Sequence, residues 1–71
     1  MYEPYFFRAL AKVNLEDYQG AEADCDEAIK RNPFVVGAYQ VRGLARIRQS
    51  KFDGAIEDYQ KALHYDPENI T

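Results

Sequence analysis

The chain has 71 residues, 46% of them apolar and 30% charged, with a net charge of −3 and one cysteine. That length supports one small domain, the single Cys25 excludes an internal disulfide, and the composition is too apolar for a disordered segment. No apolar run nears the roughly 18 residues of a membrane span, the acidic balance argues against nucleic acid, and the Met-Tyr-Glu-Pro start carries no secretion signal, leaving a cytoplasmic location as the default expectation.

In chain order, the first element is a helix from Pro4 to Leu15. Proline suits a first helical turn, where its missing N–H is not needed. Tyr5, Phe6, Phe7, Ala9, Leu10, Ala11 and Val13 form an apolar set too wide for one stripe, so this helix is expected to touch neighbours on two sides. Asn14–Gln19 reads as a turn, with Glu16 or Asp17 at the start of the next helix, where the dipole favours an acid. The second helix spans about 18–31, with Ala21, Cys25, Ala28 and Ile29 on one narrow stripe and Lys30 and Arg31 in its last turn. Asn32-Pro33 ends it.

A third helix runs over about 35–48, marked by Tyr39, Gly43, Leu44 and Ile47. Gln49-Ser50-Lys51 is its turn. The fourth helix carries Ala55, Ile56, Tyr59, Ala62 and Leu63 on one face and closes at Asp66-Pro67. No segment alternates with the two-residue period of a strand. The chain is therefore read as all-α, with four antiparallel helices. Charge is blocked along it: residues 1–29 carry −5, residues 30–51 carry +6 and residues 52–71 carry −4. Neighbouring helices of opposite sign attract, by only a few tenths of a kcal/mol for each exposed pair.

The second half of the chain repeats the first. At an offset of 34 residues, Tyr5, Arg8, Leu10, Ala11, Gly20, Ala21, Asp24, Ala28 and Pro33 fall on Tyr39, Arg42, Leu44, Ala45, Gly54, Ala55, Asp58, Ala62 and Pro67. A fixed period of this size marks stacked-repeat architecture. Ala9, Gly43, Ala21, Ala28, Ala55 and Ala62 are small where two helices must approach closely, and Tyr5, Tyr39 and Tyr59 fill the space beside them. Arg8 and Arg42 recur with Asp24 and Asp58. Arg42 is expected to bond Asp58 of its own repeat or Asp24 of the preceding one.

Tyr39-x2-Arg42-Gly43, Ala55-x3-Tyr59, Ala62 and Pro67, preceded by Tyr5-x2-Arg8-Ala9, Ala21-x3-Cys25, Ala28 and Pro33, resemble the tetratricopeptide repeat. The resemblance implies one domain over residues 1–71, with repeats at about 2–35 and 36–69 and the start of a truncated connector at 70–71. It also implies a right-handed superhelix, whose first helices line a concave face. Arg8, Lys12, Arg42 and Arg46 stand where the family carries leucine and tyrosine, Cys25 where it carries an aromatic, and Glu16 and Ser50 where its turn carries glycine. The arginine–aspartate form looks like arrays common in bacteria.

The concave stripe implied by this resemblance is Glu3, Phe6, Leu10, Val13 and Asn14, then Gly37, Gln40, Leu44, Ile47 and Arg48. Phe6, Gln40 and Arg48 are read as available to a ligand, and Val13 and Ile47 chiefly as helix packing. Mixed apolar, amide and cationic groups suit a peptide with one or two apolar anchors. The resemblance points away from the clamp by which some members grip a chaperone's C-terminal carboxylate. Its lysine and asparagine positions are here Phe6, Leu10 and Val41.

Catalysis is not expected. Asp24-Cys25-Asp26-Glu27 resembles a metal cluster only when read linearly, since consecutive helical side chains splay about 100° apart. Cys25 lies on the packing stripe, His64 off its helix's apolar stripe, and no glycine-rich phosphate loop is present. Neither metal nor cofactor is implied. The expected role is a protein–protein interaction scaffold, alone or within a longer array; the alternative is a purely structural or oligomerisation segment. Ile56, Tyr59 and Leu63, with Ala62, would face water on the last helix and mark an edge for self-association.

Overall fold

The computed structural model describes residues 1–66; Pro67 and the connector expected at 70–71 lie outside the described residues. Four α-helices follow one another: α1 Glu3–Asn14, α2 Tyr18–Arg31, α3 Val36–Arg48 and α4 Phe52–Tyr65. Pro4 lies in the first turn of α1 and Asp17 caps α2, its carboxylate accepting the Gly20 N–H at 3.1 Å. Glu16 and Ser50, at the positions where the family carries glycine, adopt φ of 60° and 63°. That left-handed backbone costs a non-glycine residue about 1 kcal/mol, and in both copies it lets the chain reverse tightly between helices. Among the described residues no helix is long and apolar enough to cross a membrane.

Successive helices run antiparallel, because Tyr5 at the start of α1 meets Arg31 at the end of α2, and Tyr39 at the start of α3 meets Tyr65 at the end of α4. α2 packs against both α1 and α3. Among the described residues α1 also touches α3, whereas α2 and α4 do not meet. The first helices are thus the closer pair, which puts them on the inside of the curve.

The core is built of small side chains. Ala9, Ala21, Cys25, Ala28, Ala38, Ala45 and Ala62 are wholly buried, with Ala55 and Tyr39 nearly so. Helices therefore pack almost backbone to backbone, and the largest fully buried side chains are Asp58 and Cys25. A Cβ on Gly43 would sit 3.0 Å from the Tyr59 ring, so glycine here makes room for that ring. In the first copy the same two places hold Ala9 and Cys25, both in one buried cluster. Burial pushes the Cys25 thiol up to about 12, leaving it neutral packing rather than a nucleophile. The Tyr39 hydroxyl donates to the Pro33 carbonyl at 2.7 Å and ties α3 to the connector before it.

Candidate interaction surfaces

An ionic lattice binds the small-residue core and orients its surfaces. Arg8 donates from Nε and Nη2 to Asp24 at 3.0 and 2.8 Å, and Lys12 reaches the same carboxylate at 3.0 Å. In the second copy Arg42 donates to Asp58 at 2.7 Å, and Arg46 to the same group at 2.9 Å. The cations at the family's leucine and tyrosine positions thus converge on one buried carboxylate in each repeat. Arg42 does not reach Asp24. Its second acid is Asp26, at 2.8 Å, on the flanking helix α2.

Glu22 is the centre that the sequence pattern did not single out. It accepts from Arg46 Nε, Gln49 Nε2 and Lys51 Nζ, each at 2.9 Å. Desolvation pushes its carboxyl upward, but the three donors outweigh it and hold it down at about 2. Asp24 is likewise lowered, chiefly by Arg8. A spacing of 16 residues marks Arg8–Asp24, Asp26–Arg42 and Arg42–Asp58 alike, and this recurring separation is the signal that could have revealed the cross-helix pairs.

Because these carboxyls sit below their unfolded values, their stabilisation is complete above about pH 5 and is lost as pH falls through the folded values. Thermal melts from pH 7 to pH 2 should show the midpoint dropping below pH 5. Glu22→Gln should lower the pH 7 midpoint by the equivalent of roughly 2 kcal/mol and flatten that acid dependence. An unchanged acid limb in the variant would mean that Glu22 contributes nothing to it.

The inner surface is formed by α1 and α3. Leu10 and Ile47 are 37% and 40% exposed, and Leu44 and Gln40 are half-buried beside them. Ile47, expected mainly to pack helix on helix, thus opens to solvent, while Val13 packs on the buried Ala9–Cys25 cluster. Phe6 is less available than expected. Its ring covers Gly37, where an added Cβ would lie 2.9 Å from the ring, so it links α1 to α3 instead of standing free. Asn14 and Arg48 are exposed at one end of the stripe and Glu3 at the other. Among the described residues Arg48 alone of the five arginines has no carboxylate partner.

On α4, Ala62 is fully buried and Tyr59 half-buried against Gly43, so the large apolar side chains that face outward are Phe52, Ile56 and Leu63. His64 is exposed and lies edge-on to the Tyr65 ring.

Comparison with known proteins gives the same repeat twice: the tetratricopeptide repeat profile matches residues 2–34 and again 36–69. RNA polymerase II-associated protein 3 of Xenopus tropicalis is 44% identical over 63 residues, covering 89% of this chain and 10% of that protein. DnaJ homolog subfamily C member 7 homolog of Dictyostelium discoideum is 37% identical over 65 residues, 92% of this chain and 12% of that protein. The chain therefore spans about a tenth of the length of these relatives. Both are eukaryotic proteins, so they give the expectation of a bacterial array no support. The solved structure of the first tetratricopeptide repeat domain of Spaghetti (RPAP3) bound to the HSP90 peptide SRMEEVD superposes with a TM-score of 0.96 at 33% identity, over 99% of this chain and 56% of that one.

Proposed function

Because the chain belongs to the tetratricopeptide repeat family, we propose that it is a protein–protein interaction module that binds a peptide segment along the α1–α3 face. The observation that carries this reading is an open apolar stripe ending in a cation, Arg48, that has no carboxylate partner among the described residues. Leu10, Leu44 and Ile47 offer a seat for one or two apolar side chains, and Arg48 and Asn14, each the exposed last residue of its helix, offer donors to an acidic group. The solved relative bound to an acidic peptide supports the class of ligand. It does not carry over the ligand itself, since Phe6, Leu10 and Val41 supply none of the polar groups of the carboxylate clamp.

A peptide library displayed on phage and selected on the immobilised chain tests the reading. Selected peptides should combine an aliphatic or aromatic residue with a nearby acid. Ile47→Asp with Arg48→Glu should weaken them at least about ten-fold, which is 1.4 kcal/mol. Both residues are exposed, so the chain should stay folded at 25 °C, with a modest drop in melting temperature because two acids in the last turn of α3 oppose the helix dipole. Binding that ignores the double substitution, or no selected peptide at all, would instead favour a purely structural or oligomerisation role.

A further inference from the structure

α1 and α3 together carry six charged side chains: Glu3, Arg8, Lys12, Arg42, Arg46 and Arg48. Four are paired inside the fold, Arg8 and Lys12 with Asp24, Arg42 and Arg46 with Asp58. Glu3 and Arg48 are exposed and have no ion-pair partner among the described residues. These two are also the only charges on the inner stripe. Steps of three or four residues put Glu3 on one helix face with Phe6, Leu10 and Asn14, and Arg48 on one with Gln40 and Leu44.

The two charges stand at opposite ends of that stripe. Contacts of Tyr5 with Arg31 and Arg8 with Asp24 set α1 antiparallel to α2. Those of Arg42 with Asp26 and Arg46 with Glu22 set α2 antiparallel to α3. α1 and α3 therefore run in the same direction, with Glu3 opening the first and Arg48 closing the second. The row from Glu3 to Asn14 covers about 16 Å at the helical rise, a length that an extended peptide spans in about five residues. Within that span Phe6 lies over Gly37, and the open apolar seat is Leu10 with Leu44 and Ile47.

On the premise that this face binds a peptide, we propose that it selects a segment of mixed charge. The segment carries a basic residue over Glu3, an apolar residue in the Leu10–Leu44–Ile47 seat, and an acidic residue at Arg48. Base and acid lie on opposite sides of the anchor, about five residues apart. A segment with acids on both sides meets like charge at Glu3, and one with bases on both sides meets it at Arg48. The face therefore disfavours either, even where the anchor fits.

The probe is a phage library of peptides of about twelve residues, with a fixed central leucine and random flanks. It is selected in parallel on the unaltered chain, on Glu3→Lys and on Arg48→Glu. The unaltered chain should enrich a base on one flank and an acid on the other. Glu3→Lys should enrich acids on both flanks, and Arg48→Glu bases on both. Each of these variants sets a charge against its helix dipole, so circular dichroism first checks that it is folded. Glu3→Gln, which adds no such charge, should erase the preference for a base and keep that for an acid. Alanine in place of the base of a selected peptide should weaken binding about 2- to 5-fold, and the loss should fade at high salt. Peptides that are lost on Ile47→Asp, yet carry the same flanking charges whatever stands at residues 3 and 48, would overturn the charge order and leave the peptide-binding reading intact. No enrichment on any chain would overturn both.

Discussion

Replacing Asp58 by alanine is expected to destabilise the chain by about 3 kcal/mol, which for so small a domain lowers the melting temperature by roughly 12–24 °C. Asp58 is only 1% exposed and accepts from Arg42 and Arg46, whose side chains are 17% and 21% exposed. Removing the shared acceptor strands two cations at a helix interface where water is scarce. Asp26 and Glu22 still hold their outer edges, which keeps the loss near the lower end for a broken buried pair. A domain of this length has a total stability on the order of 4–10 kcal/mol, so a large part of it is at stake. Asp24→Ala is the internal control. The same position in the first copy serves the far more exposed Arg8, so its loss should be clearly smaller. Urea denaturation of the two variants side by side decides the matter. Equal losses would show that burial of the arginines does not set the cost.

Gly43→Leu should be the second severe substitution, costing about 3 kcal/mol through overpacking. A Cβ at residue 43 would lie 3.0 to 3.3 Å from three atoms of the Tyr59 ring, and a branched side chain extends beyond it into the same space. Gly43→Ala separates two opposed effects. It should gain about 1 kcal/mol from helix propensity and lose more by pushing the ring of Tyr59. In a Tyr59→Cys background, which recreates the Ala9–Cys25 pairing of the first copy, the same substitution should become stabilising by about 1 kcal/mol. A double-mutant cycle measures this sign change directly. An effect of Gly43→Ala that is independent of residue 59 would separate the two positions energetically. The first copy would then need another explanation for its cysteine.

Asp58 and Gly43 each have a counterpart in the other repeat, and setting the two repeats side by side also separates what was legible in the sequence. Period, helix number, turn positions and the small-residue stripe are local properties. Gly, Ala and Pro at fixed offsets, with 3.6-residue periodicity between them, fix the helices and where they can approach. The pairing of Arg42 with Asp58 was within reach because the two residues recur together at the 34-residue offset. Glu22 and Asp26 had no such mark, since the second copy holds Ile56 and Gln60 in their places.

The inner stripe could be named residue by residue, but its state could not. Phe6 reads as an open anchor until its ring is seen lying over Gly37, and Ile47 reads as packing until α3 is seen to turn it outward. Exposure depends on which neighbour covers a helix flank. Two helices with equivalent sequences, α1 and α3, therefore end with opposite surroundings.

The sequence by itself determined an all-α pair of tetratricopeptide repeats with small-residue crossings, because propensity, periodicity and internal repetition act along the chain. Only the tertiary structure decided that Glu22 is an ionic centre, that Asp58 gathers two arginines, and that Arg48 is unpaired among the described residues. Those outcomes depend on which helices lie side by side, since charge pairing and desolvation act through space over a few ångströms.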